Sequence, residues 1–141
     1  MAGAVKPAVV ELKIPCRPEF VGVARLAILG VASRMQFSYD EVEDVRLAVG
    51  EACTTAVERA IKTNKTNTDI RIRSEISDGK LTVEVTDQVG RMPEPPKTAK
   101  SPEELDEQSL GALLMELLVD EFSVEATADG GTLVRMVKYA G

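Results

Sequence analysis

The residues best suited to chemistry lie together on one predicted helix. Glu51 and Thr55 are four residues apart, which places them one turn apart on the same helix face, and Glu58 lies nearby. The opposite face carries apolar residues at steps of three and four, namely Val42, Val45, Val49, Ala52, Ala56 and Ala60. A carboxylate such as Glu51, about 180° from that stripe, is either a solvated surface group or a general base.

Further candidates lie after the third predicted strand, in the third predicted helix and in the closing hairpin. Asp87 comes directly after a strand, and Gly90 lies three residues further along. Gly111 belongs to the third predicted helix, and Thr132 follows a glycine in the closing hairpin. Each has an ordinary structural explanation, because carboxylates and glycines are common in turns and glycines allow close packing.

The elements that position these residues predict an α+β fold. Alternating residues indicate strands, apolar periodicity indicates three helices, and Ser38 with Glu41 forms a capping box that begins the helix of Glu51. The order strand–helix–helix–strand–strand–helix–strand–strand predicts a two-layer sandwich, in which helices cover one face of a mixed sheet. Helices are expected from Glu19 to about Met35, from about Ser38 to Lys62, and from Gln108 to Val119.

A Pro- and Lys-rich segment at about residues 90–107 connects the third predicted strand to the third helix. Ordered connections of this length are uncommon and are often lids or binding loops. The segment is therefore either a lid or disordered. A short helical turn beginning at Ser101 is compatible with the first of these, because Pro102 suits the first helical position.

Composition limits the classes of function. The 141 residues suit one domain, 1–141, and the net charge of −6 argues against nucleic acid as a partner. The chain has no histidine, which excludes Ser-His-Asp triads and His-ligated zinc. Cys16 and Cys53 have no metal-ligand spacing and are expected to be buried thiols. No apolar run suits a membrane span or signal peptide, so a cytoplasmic protein is expected.

Three segments together resemble one family. Pro18–Gly22, Tyr39–Asp44 and Glu51–Thr54 are similar to the anti-sigma-factor serine kinases of the general stress response. Those kinases belong to the gyrase/histidine-kinase/MutL ATPase superfamily, and the resemblance continues in order from about Val10 to Tyr139. It implies the Bergerat-type ATP-binding fold, with ATP and Mg²⁺ as cofactors.

The resemblance also implies roles for the candidate residues. Glu51 matches the general-base glutamate, and Thr55 stands where the family has its magnesium-binding asparagine. A Thr hydroxyl is a weaker and shorter ligand than an amide carbonyl, and it also bonds readily to its own helix backbone.

The remaining matches concern the nucleotide. Asp87 matches the aspartate that reads the adenine amino group, and Gly90 matches its companion glycine, one residue later than in the family pattern. Gly111 is the one glycine left of a glycine-rich turn, and Thr132 matches a hydroxyl near the adenine.

Two functions are compatible with these matches. The first is an anti-sigma factor that binds a sigma factor and phosphorylates a serine on an anti-anti-sigma partner, as a homodimer. The second is a non-catalytic partner-switching module whose nucleotide site has degenerated, which the altered motifs at Thr55 and before Gly111 favour. An unrelated α+β domain with Glu51 on its surface is a third interpretation.

Overall fold

Five strands form one sheet in the computed structural model, which describes residues 7–92 and 106–141. The strand order is β1-β2-β3-β5-β4. The strands are β1 (Ala8–Pro15), β2 (Asp69–Ser77), β3 (Lys80–Asp87), β4 (Glu121–Ala126) and β5 (Thr132–Tyr139). A short 3₁₀ helix (Pro18–Phe20) precedes the helices α1 (Val21–Ala32), α2 (Tyr39–Thr63) and α3 (Glu107–Leu118).

The α+β prediction is confirmed, but the prediction of a mixed sheet is wrong, because all four described strand pairings are antiparallel. The two helices between β1 and β2 return the chain to the end of the sheet from which it left. Beyond α3, β5 and not β4 pairs with β3. A β4 strand placed directly beside β3 would have run parallel to it.

The core lies between the sheet and the helices. One face of the sheet contributes buried aliphatic side chains at alternate positions, among them Ile70, Ile72, Val83, Val85 and Val134. The helices contribute mostly small buried residues, among them Ala24, Ala48, Ala52 and Ala56. Cys16 and Cys53 are buried free thiols, as the sequence predicts.

The helix α2 is fixed at both ends by local chemistry. The Ser38 hydroxyl accepts a hydrogen bond from the Glu41 amide, and the Glu41 carboxylate accepts one from the Ser38 amide. At the other end Asn64 adopts φ 56°, a left-handed conformation that ends the helix. The predicted capping box and the predicted end near Lys62 are therefore confirmed.

The first predicted helix differs from the structure at both of its ends. The first predicted helix divides into the 3₁₀ turn at Pro18–Phe20 and an α-helix that ends at Ala32. Of the predicted lid at about 90–107, residues 93–105, which include the predicted turn at Ser101, lie outside the described residues. Among the described residues, no helix combines the length and apolarity needed to cross a membrane.

Candidate active site

The six candidate residues lie in one connected cluster between α2, α3 and the paired ends of β3 and β5. Glu51, Thr55 and Gly111 form one end of this cluster, and Asp87, Gly90 and Thr132 form the other. Side chains that the sequence analysis did not select join the two ends. We call this arrangement the α2–β3 cluster.

At the first end, α3 packs against the face of α2 that carries Glu51. A Cβ atom built on Gly111 would lie 2.7 Å from Thr55 Cγ2 and 2.9 Å from Glu51 Oε1. These distances are shorter than those that real Cβ atoms show, so only glycine allows α3 to approach α2 this closely. Gly111 is therefore a close-packing glycine beside the candidate base.

Thr55 is fully buried, and its hydroxyl donates a hydrogen bond of 3.0 Å to the Ala52 carbonyl. This is the back-bonding geometry that Thr adopts inside helices. The same hydroxyl lies 3.9 Å from the Met92 sulfur. The hydroxyl proton of Thr55 therefore points to the helix backbone. A metal could be bound only by a lone pair of the Thr55 oxygen.

Glu51 is half-buried, and its surroundings act on its acidity. Burial raises the pKa of Glu51, the negative charge of Glu58 raises it further, and the positive charge of Arg25 partly opposes both. Arg25 extends from α1 across Gly50, where a Cβ atom would lie 2.5 Å from its Nε. A carboxylate with a raised pKa is a stronger proton acceptor, as a general base requires.

At the second end, Asp87 is a buried carboxylate held by an arginine. Alternation along β3 points its side chain to the core face with Val85, and it is 2% exposed. Arg59 donates hydrogen bonds of 3.3 Å to Oδ1 and 2.8 Å to Oδ2. The Val89 amide donates a third to Oδ1, at 2.9 Å.

Gly90 and Thr132 meet beside this ion pair. The Thr132 hydroxyl donates a hydrogen bond of 2.5 Å to the Gly90 carbonyl and accepts one of 3.0 Å from the Met92 amide. Gly90 has φ +130°, a conformation that favours glycine. Its carbonyl also accepts a 2.5 Å hydrogen bond from Arg59, so the turn after β3 is fixed from two sides.

Gln108 connects the two ends. Its side-chain oxygen accepts a 3.0 Å hydrogen bond from Arg59 Nε, and its amide donates one of 3.1 Å to the Thr55 carbonyl. A longer contact of 3.4 Å reaches the carboxylate of Glu58. The network therefore runs from Asp87 through Arg59 and Gln108 to the Thr55 carbonyl and the Glu58 carboxylate.

Arg59, Gln108 and Met92 are not among the residues predicted from the sequence, although the sequence carries a signal for Arg59. Arg59 follows Glu51 and Thr55 at steps of four on one helix face, and it is 8% exposed. A buried Asp87 at the end of an alternating strand also requires a counter-charge. Gln108 and Met92 carried no comparable signal, because their partners come from distant segments.

A nucleotide fits this donor set on chemical grounds. An ionised carboxylate offers about four acceptor positions, and three on Asp87 are used, which leaves one on Oδ2 for an amino group. Since Asp87 is 2% exposed, neighbouring groups must move before a base can reach it. The Thr55 hydroxyl is an oxygen ligand of the kind that Mg²⁺ accepts, but it is buried and bonded to the Ala52 carbonyl, so it is a poor one.

Comparison with known proteins identifies the family. A histidine kinase-like ATPase domain model matches residues 14–138. The serine-protein kinase RsbW of Bacillus subtilis is 40% identical over 138 residues, covering 92% of this chain and 84% of that protein. The RsbW of Oceanobacillus iheyensis is 35% identical over 138 residues, with 92% and 85% covered.

A solved structure shares the fold. The crystal structure of the RsbU and RsbW domains of a Mycobacterium tuberculosis protein superimposes with a TM-score of 0.69 at 16% identity. The match covers 94% of this chain and 32% of that longer one. With the family model spanning most of the chain and relatives at this identity, the protein belongs to the histidine kinase-like ATPase family, alongside the RsbW serine-protein kinases.

Proposed function

We propose that this protein is an anti-sigma factor that binds a sigma factor and phosphorylates a serine on an anti-anti-sigma partner with ATP. The observation that carries the proposal is the α2–β3 cluster, in which Glu51, a carboxylate with a raised pKa, lies beside Gly111 and Thr55, while the buried carboxylate of Asp87 is tied to the same helices through Arg59 and Gln108. The relatives named serine-protein kinase RsbW support the same activity.

Each candidate residue has a role under this proposal. Asp87 accepts a hydrogen bond from the adenine amino group, while Gly90 and Thr132 shape the backbone beside it. Glu51 accepts the proton of the serine hydroxyl, and Thr55 faces the metal. Bound ATP supplies the phosphoryl group, and Mg²⁺ neutralises its charge. Gly111 lets the first turn of α3 approach α2.

The non-catalytic alternative has one specific observation in its favour. Thr55 is fully buried with its hydroxyl bonded to the Ala52 carbonyl, so the residue in the metal position offers little to a cation. Such a module would bind the same two partners and exchange them without transferring phosphate.

Calorimetric titration with ATP, with and without Mg²⁺, tests the choice. The kinase proposal predicts Mg²⁺-dependent binding by the wild type and tighter binding by Thr55→Asn, because an amide oxygen is the better ligand. Binding that appears only in Thr55→Asn would favour the non-catalytic module. Absence of binding in both proteins would contradict a nucleotide site altogether.

We also propose a homodimer and a cytoplasmic location. The buried free thiols Cys16 and Cys53 suit a reducing compartment. Sedimentation of the purified chain, over a range of concentrations, tests the dimer directly.

A further inference from the structure

We propose that Arg59 is a specificity-determining residue, which makes this site select adenine over guanine by holding Asp87 as an oriented, ionised acceptor. The inference rests on the proposed nucleotide site and adds a residue to it. Arg59 does not itself contact the base in this account; it acts through Asp87.

Asp87 is a buried charge that Arg59 balances. A carboxylate that is 2% exposed needs a paired counter-charge to remain ionised. Among the described residues, the salt bridge to Asp87 comes from Arg59, with an Nη2–Oδ2 distance of 2.8 Å. Replacement of Arg59 by a neutral side chain would therefore leave Asp87 buried without that counter-charge.

Arg59 also fixes the orientation of the Asp87 carboxylate. Both nitrogen atoms at the tip of the guanidinium bond to Asp87, one to each oxygen, so the plane of the carboxylate is fixed. The guanidinium is itself held, because Nε donates to Gln108 and Nη1 donates to the Gly90 carbonyl. One acceptor position on Oδ2 is consequently left in a defined direction.

The free acceptor position on Asp87 Oδ2 suits adenine and not guanine. Adenine presents an amino group, a donor, where guanine presents a carbonyl oxygen, an acceptor. An ionised carboxylate only accepts hydrogen bonds, so it attracts adenine and repels guanine at that position. A carboxylate that has lost its counter-charge and its fixed orientation presents no acceptor in a defined direction, so its discrimination against guanine weakens. Arg59 thus decides which base the site prefers.

The test compares binding of ADP and GDP, both with Mg²⁺, by calorimetry, so that no turnover is involved. Arg59→Met is expected to weaken ADP binding by about tenfold or more, the value of one charge-assisted hydrogen bond. It should weaken GDP binding much less, so that the ADP/GDP preference falls. Arg59→Lys keeps the charge but loses the two-point contact, so it should retain the preference with weaker ADP binding.

Arg46→Met is the matched control, because Arg46 lies on the same helix and pairs with Glu43 at 2.6 Å, outside the cluster. It should leave both affinities unchanged. Circular dichroism establishes that each variant is folded. Should Arg59→Met fail to fold, Arg59→Lys decides the question: ADP binding equal to wild type would overturn the proposal.

Two results separate this inference from the proposed function. A wild type that binds no ADP contradicts the nucleotide site itself. A wild type that binds ADP, with an Arg59→Met variant of unchanged ADP/GDP preference or tighter ADP binding, overturns only the role of Arg59. Tighter binding would mean that Arg59 blocks Asp87.

Discussion

At the scale of single residues, the account depends on two carboxylates in different surroundings. Glu51 is half-buried beside a like charge, whereas Asp87 is buried against a guanidinium. Helical spacing left Glu51 as either a surface group or a general base, and the family resemblance gave roles to both Glu51 and Asp87. Neither argument revealed Arg59, because its partners come from the end of β3 and the start of α3.

The acidity of Glu51 is expected to affect stability. Because its pKa is raised in the folded state, Glu51 contributes stability at low pH that is lost as the pH rises past its ordinary value of 4.5. Glu51→Gln removes this penalty, so the variant should be more stable than wild type at pH 7. Urea unfolding at pH 7 and pH 4 measures the difference, which should shrink at pH 4. Equal stability at pH 7 would contradict the raised pKa.

Glu58 provides a second test of the pKa of Glu51, through the pH dependence of the phosphoryl-transfer rate. Its negative charge raises the pKa of Glu51, so Glu58→Gln should lower that pKa. The acid limb of the phosphoryl-transfer rate against pH should then move to lower pH. A Glu75→Gln control on β2 should leave the limb in place. An acid limb unmoved by Glu58→Gln would mean that another group is the base.

At the scale of elements, the site depends on the close approach of α3 to α2. Gly111 allows it, and Gln108 ties the first turn of α3 to the Thr55 carbonyl. The sequence predicts α3 to within one residue at each end, because its leucines repeat with helical spacing. It did not predict how closely the helices pack, since that depends on backbone positions set by the whole sheet.

Gly111→Ala is expected to destabilise the fold by about 1 kcal/mol. Overpacking against Thr55 typically costs about 1–3 kcal/mol, and the better helix propensity of Ala returns about 1 kcal/mol. Gly30→Ala in α1 is the matched control, because a Cβ atom there meets nothing within 4 Å. It should stabilise the protein by about 0.5–1 kcal/mol. Equal stabilisation by both variants, measured by urea unfolding, would contradict the close packing.

At the scale of the whole molecule, local patterns predict the elements better than the pairing of the strands. The capping box at Ser38 is encoded locally and is confirmed. The antiparallel sheet differs from the prediction because the position of β5 beside β3 follows from packing across the sheet. The cluster itself joins residues more than fifty positions apart, such as Thr55 and Gln108.

The central claim is that this chain transfers phosphate to a serine. Incubation with radiolabelled ATP, Mg²⁺ and an anti-anti-sigma protein from the same organism tests it most directly. The account predicts labelling of one serine by the wild type and a rate about 10²–10⁴-fold lower for Glu51→Gln, the usual contribution of a general base. A wild type that binds the partner without labelling it, or a Glu51→Gln variant that labels it at the wild-type rate, would contradict the account.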